Sequence, residues 1–366
     1  MNCIKLFDCT LRDGGYVNNW QFTKEQVREC YKACLASGVS YMEIGFRNFD
    51  NPVNRSKYGE TFFCTESYIN EVIGDIVDDT KCKIAVMVTI NQFNMNDFVN
   101  KIGSKTDSKI SLVRVLMAYH GFKNKTDDEL DLKTLSDGID QINKLNDLGY
   151  EVSFNIGRID KLSDEQLYMI CSSINQTKIK YFYVADTYGS SDNDSISILV
   201  PKMLHIFRNL LNNNLIELGF HAHDNFSNAS TKSIYAAKMG CKIIDGCILG
   251  YGRGSGNAKI ELLMMDLNKN HNYTYNFIHI IEYGNKYLIG YKECINNLSY
   301  NVVYAICAYL GCHVTYGIEI IENYDKMSMI EIYLVLEEIK KQNKHMFFYD
   351  KLFMEVYHQI IYSIIQ

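Results

Sequence analysis

The chain has 366 residues, 47% of them apolar and 22% charged, with a formal net charge of -6. That suffices for one large α/β barrel with an appended piece, or for two ordinary domains. There is no Lys/Arg block to attract nucleic acid and no apolar run near the ~20 residues that span a bilayer. Met1-Asn2-Cys3-Ile4-Lys5 leads straight into a strand without a secretory signal, and the twelve cysteines include no CxxC pair. The expectation is a cytoplasmic protein with reduced thiols whose partners are neither nucleic acid nor membrane.

Strand-like runs are expected at 4–7, 41–45, 83–89, 111–116, 151–155, 181–185, 216–221 and 243–248, with helical stretches between them. Alternation of this kind argues for parallel βαβ units. Eight such units in about 250 residues predict an α/β fold of the (β/α)8 TIM barrel type. The first helix carries its own punctuation, because Thr23 and Gln26 form a capping box and Gly38 ends the helix. Another is expected from about Asn228 to Met239, stopping at Gly240. From about residue 272 the chain becomes Tyr-rich and helical, with helices expected over 325–342 and 352–365. The predicted organisation is a barrel over 1–270 and a helical C-terminal domain over 271–366.

Three segments carry the chemistry. Asp8-Cys9-Thr10-Leu11-Arg12-Asp13-Gly14-Gly15 follows the first strand, Gly219-Phe220-His221-Ala222-His223 closes the seventh, and a glycine-rich loop from Gly250 to Asn257 follows the eighth. Alternate strand side chains share a face, so His221 and His223 point the same way. In a closed barrel the last strand pairs with the first, and active residues gather at the C-terminal ends. Asp13, His221 and His223 therefore meet, and two imidazoles with a carboxylate hold a divalent metal with positions left open for substrate.

The loop spacing G-x-G-x-G-x-G is not the dinucleotide fingerprint; a tight backbone that delivers Asn257 to the metal is the better account. Arg12 and Asp13 are adjacent, which puts them in a turn where Gly14 and Gly15 permit unusual dihedrals. Glu43 shares a strand face with Tyr41 and Gly45, where it can hold Arg12. Tyr16 and His120 are the candidates for proton exchange, an imidazole ordinarily titrating at about 6.5. Arg47, Arg55 and Lys57 in a long loop after the second strand, with Arg253 and Arg158, suggest a polar or anionic group at the substrate's far end.

As a set, these motifs resemble the DRE-TIM metallolyase superfamily, the HMG-CoA-lyase-like family, over about residues 1–268. The family's Arg-Asp-Gly is matched by Arg12-Asp13-Gly14 and its His-x-His by His221 and His223. Thr10 to Gly15 and the Gly-Arg-Gly-x-Gly-Asn loop are most similar to the 4-hydroxy-2-oxovalerate aldolase branch. The resemblance implies a metal-dependent carbon–carbon lyase that joins or parts pyruvate enolate and an aldehyde. Its cofactor would be Mn²⁺ or Mg²⁺ on Asp13, His221 and His223, with Asn257 a further ligand or partner. Arg12 would stabilise the enolate, with Tyr16, Glu43 and His120 completing the catalytic set, while Asp186, Thr187 and Arg253 would line the substrate pocket.

Partners would be a 2-oxo acid, an aldehyde and further copies of the chain through the C-terminal helices. The chain departs from the family in instructive places. No cysteine lies in the loop after the eighth strand, Cys247 being placed within that strand. Tyr16 stands where the aldolases carry a catalytic His and the isopropylmalate-type synthases a Gln, and Arg253 stands where those synthases carry a Glu. Tyr300 or Tyr304 is the candidate for the aldolases' C-terminal Tyr. The alternatives are a Claisen-type acyl-CoA/2-oxo acid synthase and a non-catalytic barrel scaffold.

Overall fold

A computed structural model describes residues 4–48, 50–90, 104–117, 131–157, 162–211, 216–288, 302–324, 326–327 and 329–365. His120, Arg158 and Tyr300 lie outside the described residues.

Eight parallel strands close into a barrel in chain order: β1 (Lys5–Asp8), β2 (Tyr41–Phe46), β3 (Lys83–Thr89), β4 (Ile110–Met117), β5 (Glu151–Ile156), β6 (Tyr181–Asp186), β7 (Glu217–Ala222) and β8 (Ile243–Gly246). Closure is made by β1 on β8, with Phe7 opposite Asp245. The helices between strands are α1 (Lys24–Ser37), α2 (Glu66–Ile73), α3 (Leu132–Asp147), α4 (Asp164–Ile174), α5 (Asn193–Leu211) and α6 (Ala229–Met239), and α7 (Ile260–His271) follows β8. Thr23 and Gln26 do form the capping box of α1, and Gly38 takes the left-handed conformation at its end, φ 81°.

Strand β8 stops two residues earlier than expected. Beyond Gly246 the backbone donors are claimed by other partners: Cys247 N–H goes to the Ala258 carbonyl at 2.9 Å and Ile248 N–H to Thr10 Oγ1 at 2.8 Å. Cys247 therefore lies just past the strand, not within it. The residues after it turn through Leu249, whose φ is 54°.

Period two sorts each strand into an outward face that meets the helices and an inward face that fills the barrel. The lower interior is sealed by polar groups, where Glu151 accepts from Lys83 Nζ at 2.6 Å, Lys180 Nζ at 2.8 Å and the Tyr41 hydroxyl at 2.8 Å. Above them Phe7, Ala85, Leu112, Tyr183 and Ile243 form a dry plug. The plug keeps water from entering the site from below, so the chemistry faces one mouth only.

After α7, α8 (Ile278–Tyr283) packs onto α1, and Ile280, Tyr283 and Leu288 join the barrel's core, past the expected border at residue 270. The last helices, α9 (Val302–Leu310), α10 (Val314–Asn323), α11 (Met329–Lys341) and α12 (Asp350–Ile365), share a separate apolar core around Tyr316, Leu336 and Phe353. The ten cysteines among the described residues are buried and unbridged. No helix among the described residues is long and apolar enough to cross a membrane.

Candidate active site

The Arg-Asp motif sits in a single helical turn, Thr10–Asp13, immediately after β1. Asp8 organises that turn by accepting from the Thr10 hydroxyl at 2.6 Å and the Thr10 amide at 3.2 Å. The glycines that follow are needed for space and not for unusual dihedrals, since Gly14 has an ordinary helical φ of -65°. A Cβ on Gly14 would run into the Tyr251 ring and the Thr10 carbonyl, and one on Gly15 into the Trp20 indole. That close packing pins Arg12 and Asp13 at the barrel mouth.

Asp13, His221 and His223 come together there, each buried, with ligand atoms within 4.8 Å of one another. The two imidazoles lie with ring centroids 5.0 Å apart and planes at 85°. His223 pairs by a β-bridge with Asn257, whose amide nitrogen donates to Asp13 Oδ2 and to Cys247 Sγ at 3.1 Å. The turns of the glycine-rich loop, with φ of 64° at Gly254 and 88° at Gly256, carry Asn257 back to this point.

Behind the three residues runs a buried chain of alternating charge. Arg12 Nη1 donates to Asp13 at 2.5 Å and its Nε to Glu43 at 2.7 Å. Arg114 on β4 then reaches Glu43 at 3.0 Å and Asp245 on β8 at 2.7 Å. Asp245 Oδ2 lies 2.9 Å from His221 Nδ1 and closes the chain. Arg114 is held between the rings of Phe7 and Tyr183, its guanidinium carbon 4.3 Å from each centroid. With the Asn155 amide oxygen turned towards it, Asn155 accepts from Nη2 at 2.7 Å. Sequence reasoning missed Arg114 and Asp245, although a lone charge inside the runs Ile110–Met117 and Ile243–Gly246 was a visible signal, because a buried charge must find a partner.

The electrostatics follow from these contacts. Burial alone would raise the Asp13 carboxyl, but Arg12 above all, then His223, His221 and Arg253, hold it well below the usual carboxylate range. Asp245 is likewise pulled against burial, by Arg114 and then His221, down to about 2. Burial, reinforced by Arg253, pushes His223 well below the ordinary imidazole value. Its Nε2 lies 3.1 Å from Arg253 Nη2, a group that can only donate, so His223 presents a lone pair as a neutral imidazole.

The donor set fits a divalent cation on three counts. Two imidazoles and a carboxylate suit such an ion. Asn257 Oδ1 is a buried acceptor without a hydrogen-bond partner among the described residues. Three carboxylates (Asp13, Glu43, Asp245) face two guanidinium groups (Arg12, Arg114) in the chain, which leaves it one negative charge in excess. Asp245 on His221 is also the outer carboxylate that orients a metal-binding imidazole.

Arg12, Asp13, His221 and His223 open onto a cavity of about 380 Å³, a volume suited to a small ligand. Tyr16, Thr187 and Arg253 line it as well. Tyr16 is 47% exposed and packs edge-on against Trp20 with centroids 4.6 Å apart. Glu43 does not reach the cavity; it is fully buried behind Arg12.

Asp186 does not line this cavity. Period two along β6 turns Ala185 into the cavity and Asp186 outward, where it forms a buried ion pair with Lys232 and accepts from the Ser190 amide at 3.1 Å. Two of the loop cations are also spoken for: Arg47 pairs with Glu66 at 2.9 Å, and Arg55 with Asp50 at 2.7 Å and Glu60 at 2.5 Å. Tyr304 is buried on α9 beside Gly317, its hydroxyl pushed up to about 12 by burial. What the C-terminal helices bring to the cavity instead is His313, Val314, Thr315 and Ile318, from the start of α10.

The model of the HMGL-like family matches residues 3–285. A 4-hydroxy-2-oxovalerate aldolase of Bacillus cereus is 29% identical over 265 residues, covering 69% of this chain and 66% of that protein. An oxaloacetate decarboxylase of Mycobacterium tuberculosis is 22% identical over 249 residues, covering 68% and 65%. The chain thus spans slightly under two thirds of the length of these relatives. Among solved structures, the N-terminal domain of a Bacteroides vulgatus protein described as a candidate aldolase superposes with a TM-score of 0.71 at 23% identity. That superposition covers 88% of this chain and 98% of the other, a likeness of fold.

Proposed function

The chain belongs to the HMGL-like family, and from that premise we propose that it is a divalent-metal-dependent carbon–carbon lyase acting on a 4-hydroxy-2-oxo acid, with pyruvate and an aldehyde as products. The observation that carries this reading is the convergence of Asp13, His221, His223 and Arg12 on one cavity. Asp13, His221, His223 and the Asn257 oxygen would hold Mn²⁺ or Mg²⁺, which when bound supplies Lewis acidity towards the 2-oxo acid. Arg12 keeps a fixed positive charge beside the place where the enolate oxygen becomes negative, and a charge already oriented there costs no reorganisation during the reaction. Glu43 and Arg114 hold that guanidinium still. The dry plug below and the C-terminal wall above limit water, which protects the enolate from premature protonation.

Cleavage of 4-hydroxy-2-oxo acids by the Mn²⁺- or Mg²⁺-loaded protein, with pyruvate as a measured product, tests the proposal. His221→Ala should abolish metal binding by calorimetry while circular dichroism stays that of the wild type. A loaded protein that binds neither pyruvate nor oxalate would sink the reading. Thiol release from acetyl-CoA with a 2-oxo acid, without any aldol cleavage, would instead favour the Claisen-type synthase. A metal-titrated protein that retains no ion would favour the scaffold.

A further inference from the structure

Resting on the lyase reading above, we propose that Arg253 is an anion-binding residue that the metal sets free. In the metal-free protein its guanidinium occupies the His223 lone pair that the cation needs. Once displaced, it receives the carboxylate of the 2-oxo acid, so metal binds first and substrate second. The contact at the root of this is Arg253 Nη2 to His223 Nε2 at 3.1 Å. A guanidinium only donates, so Nε2 is the acceptor and the ring proton resides on Nδ1. A metal takes an imidazole nitrogen that carries no proton. On this ring that nitrogen is Nε2, and the cation and Arg253 therefore compete for one lone pair.

Charge points the same way. Among the described residues Arg12, Arg28, Arg47, Arg55 and Arg114 each rest on a carboxylate. Half-buried Arg253 makes no ion pair among them and gives its Nη2 to an imidazole instead. The guanidinium fork is shaped for a carboxylate, and this contact leaves it unmatched. What holds Arg253 there is the buried chain from Asp13 to Asp245, which has one negative charge in excess. Arg253 lines the cavity beside Asp13, His221 and His223 and stands in for the absent cation. A bound divalent cation inverts the balance: the two positive groups then repel, and an anion between them is favoured.

Only the side chain has to move. The Arg253 carbonyl accepts from the Gly256 amide at 3.1 Å, which fixes the backbone in a turn. A Cβ on Gly252 would strike the Asn257 amide nitrogen, and one on Gly254 would stand 2.8 Å from Val314 Cγ2. The loop is thus packed on both sides of Arg253, while the side chain itself borders a cavity of about 380 Å³. The guanidinium can turn from His223 to a ligand in that space without disturbing Asn257. No proton changes hands in the exchange, because Nδ1 keeps its hydrogen throughout.

The test is calorimetric. Wild type, Arg253→Met and Arg253→Gln are titrated with Mn²⁺, and the loaded proteins are then titrated with pyruvate. Arg253→Met should bind Mn²⁺ about 10–100-fold more tightly, the scale of one charge-assisted hydrogen bond. Its loaded form should bind pyruvate more weakly by a similar factor. The opposite signs are the signature, since loss of a merely structural residue would weaken both. Arg253→Gln, which keeps an uncharged donor, should move both affinities the same way by less, and it decides if the Met variant does not fold. Nitrogen-15 spectra of histidine-labelled wild type, with and without Mg²⁺, separate competition for the lone pair from plain repulsion between cations. Mg²⁺ should shift His223 Nε2 and leave the proton on Nδ1. Metal affinity that does not rise in the variant, pyruvate affinity that does not fall, or a metal shift at His223 Nδ1 overturns the proposal. A wild type that retains no metal, or that binds neither pyruvate nor oxalate when loaded, refutes the lyase reading itself.

Discussion

Replacing Arg114 by Met takes from two buried carboxylates the cation they share. Glu43 would keep Arg12 at 2.7 Å and Asp245 would keep His221 at 2.9 Å, but the centre of the chain would be left with carboxylates and no charge between them. Breaking a buried ion pair from one side costs about 3–5 kcal/mol, while the Met thioether fits the slot between Phe7 and Tyr183 and limits the packing loss.

The pH dependence identifies the cause. In the wild type Asp245 is held at about 2 against an ordinary 3.8. At about 1.4 kcal/mol per unit this is a stabilisation on the order of 2–3 kcal/mol, present above pH 3.8 and lost as pH falls through 2. Without Arg114 the sign reverses, because burial then raises the folded value above the unfolded one, and protonation relieves the variant. Urea unfolding of the metal-free proteins should therefore show a deficit of about 3–5 kcal/mol at pH 7, clearly smaller at pH 4.5. Metal affinity should fall by about 10–100-fold, since His221 loses a firmly held orienting carboxylate. A deficit under about 1 kcal/mol at pH 7, the scale of an exposed pair, or one that grows towards low pH, would refute the reasoning.

Asp8, buried between β1 and α1, is raised by burial to about 7. Its contribution is present below pH 3.8 and lost as pH rises through 7, so Asp8→Asn should leave stability unchanged near pH 4 and raise it by a few kcal/mol at pH 8. Equal pH slopes in wild type and variant would count against this. Asp186→Asn leaves the buried Lys232 ammonium without its partner and should cost about 3–5 kcal/mol in unfolding, with kcat and KM of the folded enzyme nearly unchanged. A large rise in KM would put Asp186 back in the pocket. Gly252→Ala places a methyl group against the Asn257 amide nitrogen and 3.1 Å from Asp13 Oδ2. Calorimetry should show metal binding weakened by about tenfold or more, and unaltered affinity would mean that Asn257 lies outside the metal's reach.

Most of the barrel was legible because parallel strands, buried on both faces, read as near-continuous apolar runs, and the runs alternate with helices, several of which carry a side-chain N-cap (Thr23, Thr65, Asp131, Ser163). The exceptions have local causes. Strand β8 loses its last two expected residues because Thr10 and Ala258 capture the amides of Ile248 and Cys247, and nothing near 247 announces a partner more than two hundred residues earlier. The outward turn of Asp186 follows from strand phase: β6 begins with Tyr181 inside, so even-numbered positions face the helices. That phase can be read only once the inward Tyr181 and Tyr183 are known to be barrel residues.

Asp13, His221 and His223 were legible for a different reason: each stands in a short motif at a strand end, where alternation fixes direction. Arg114 and Asp245 stand alone in apolar strands and are 131 residues apart, so no local pattern joins them. What joins them is a balance of charge. Glu43, Arg114 and Asp245 point into one dry interior, where an unpaired charge is costly, and with Arg12 and Asp13 they alternate in sign from the first strand to the last. Alternation that begins and ends on a carboxylate carries an excess negative charge, and its two ends, Asp13 and the Asp245-bound His221, meet at the cavity. A cation is the group that closes such a ring. The proposed metal site and the hidden chain are thus one electrostatic object, and a substitution in the barrel's centre should be felt in metal affinity at its mouth.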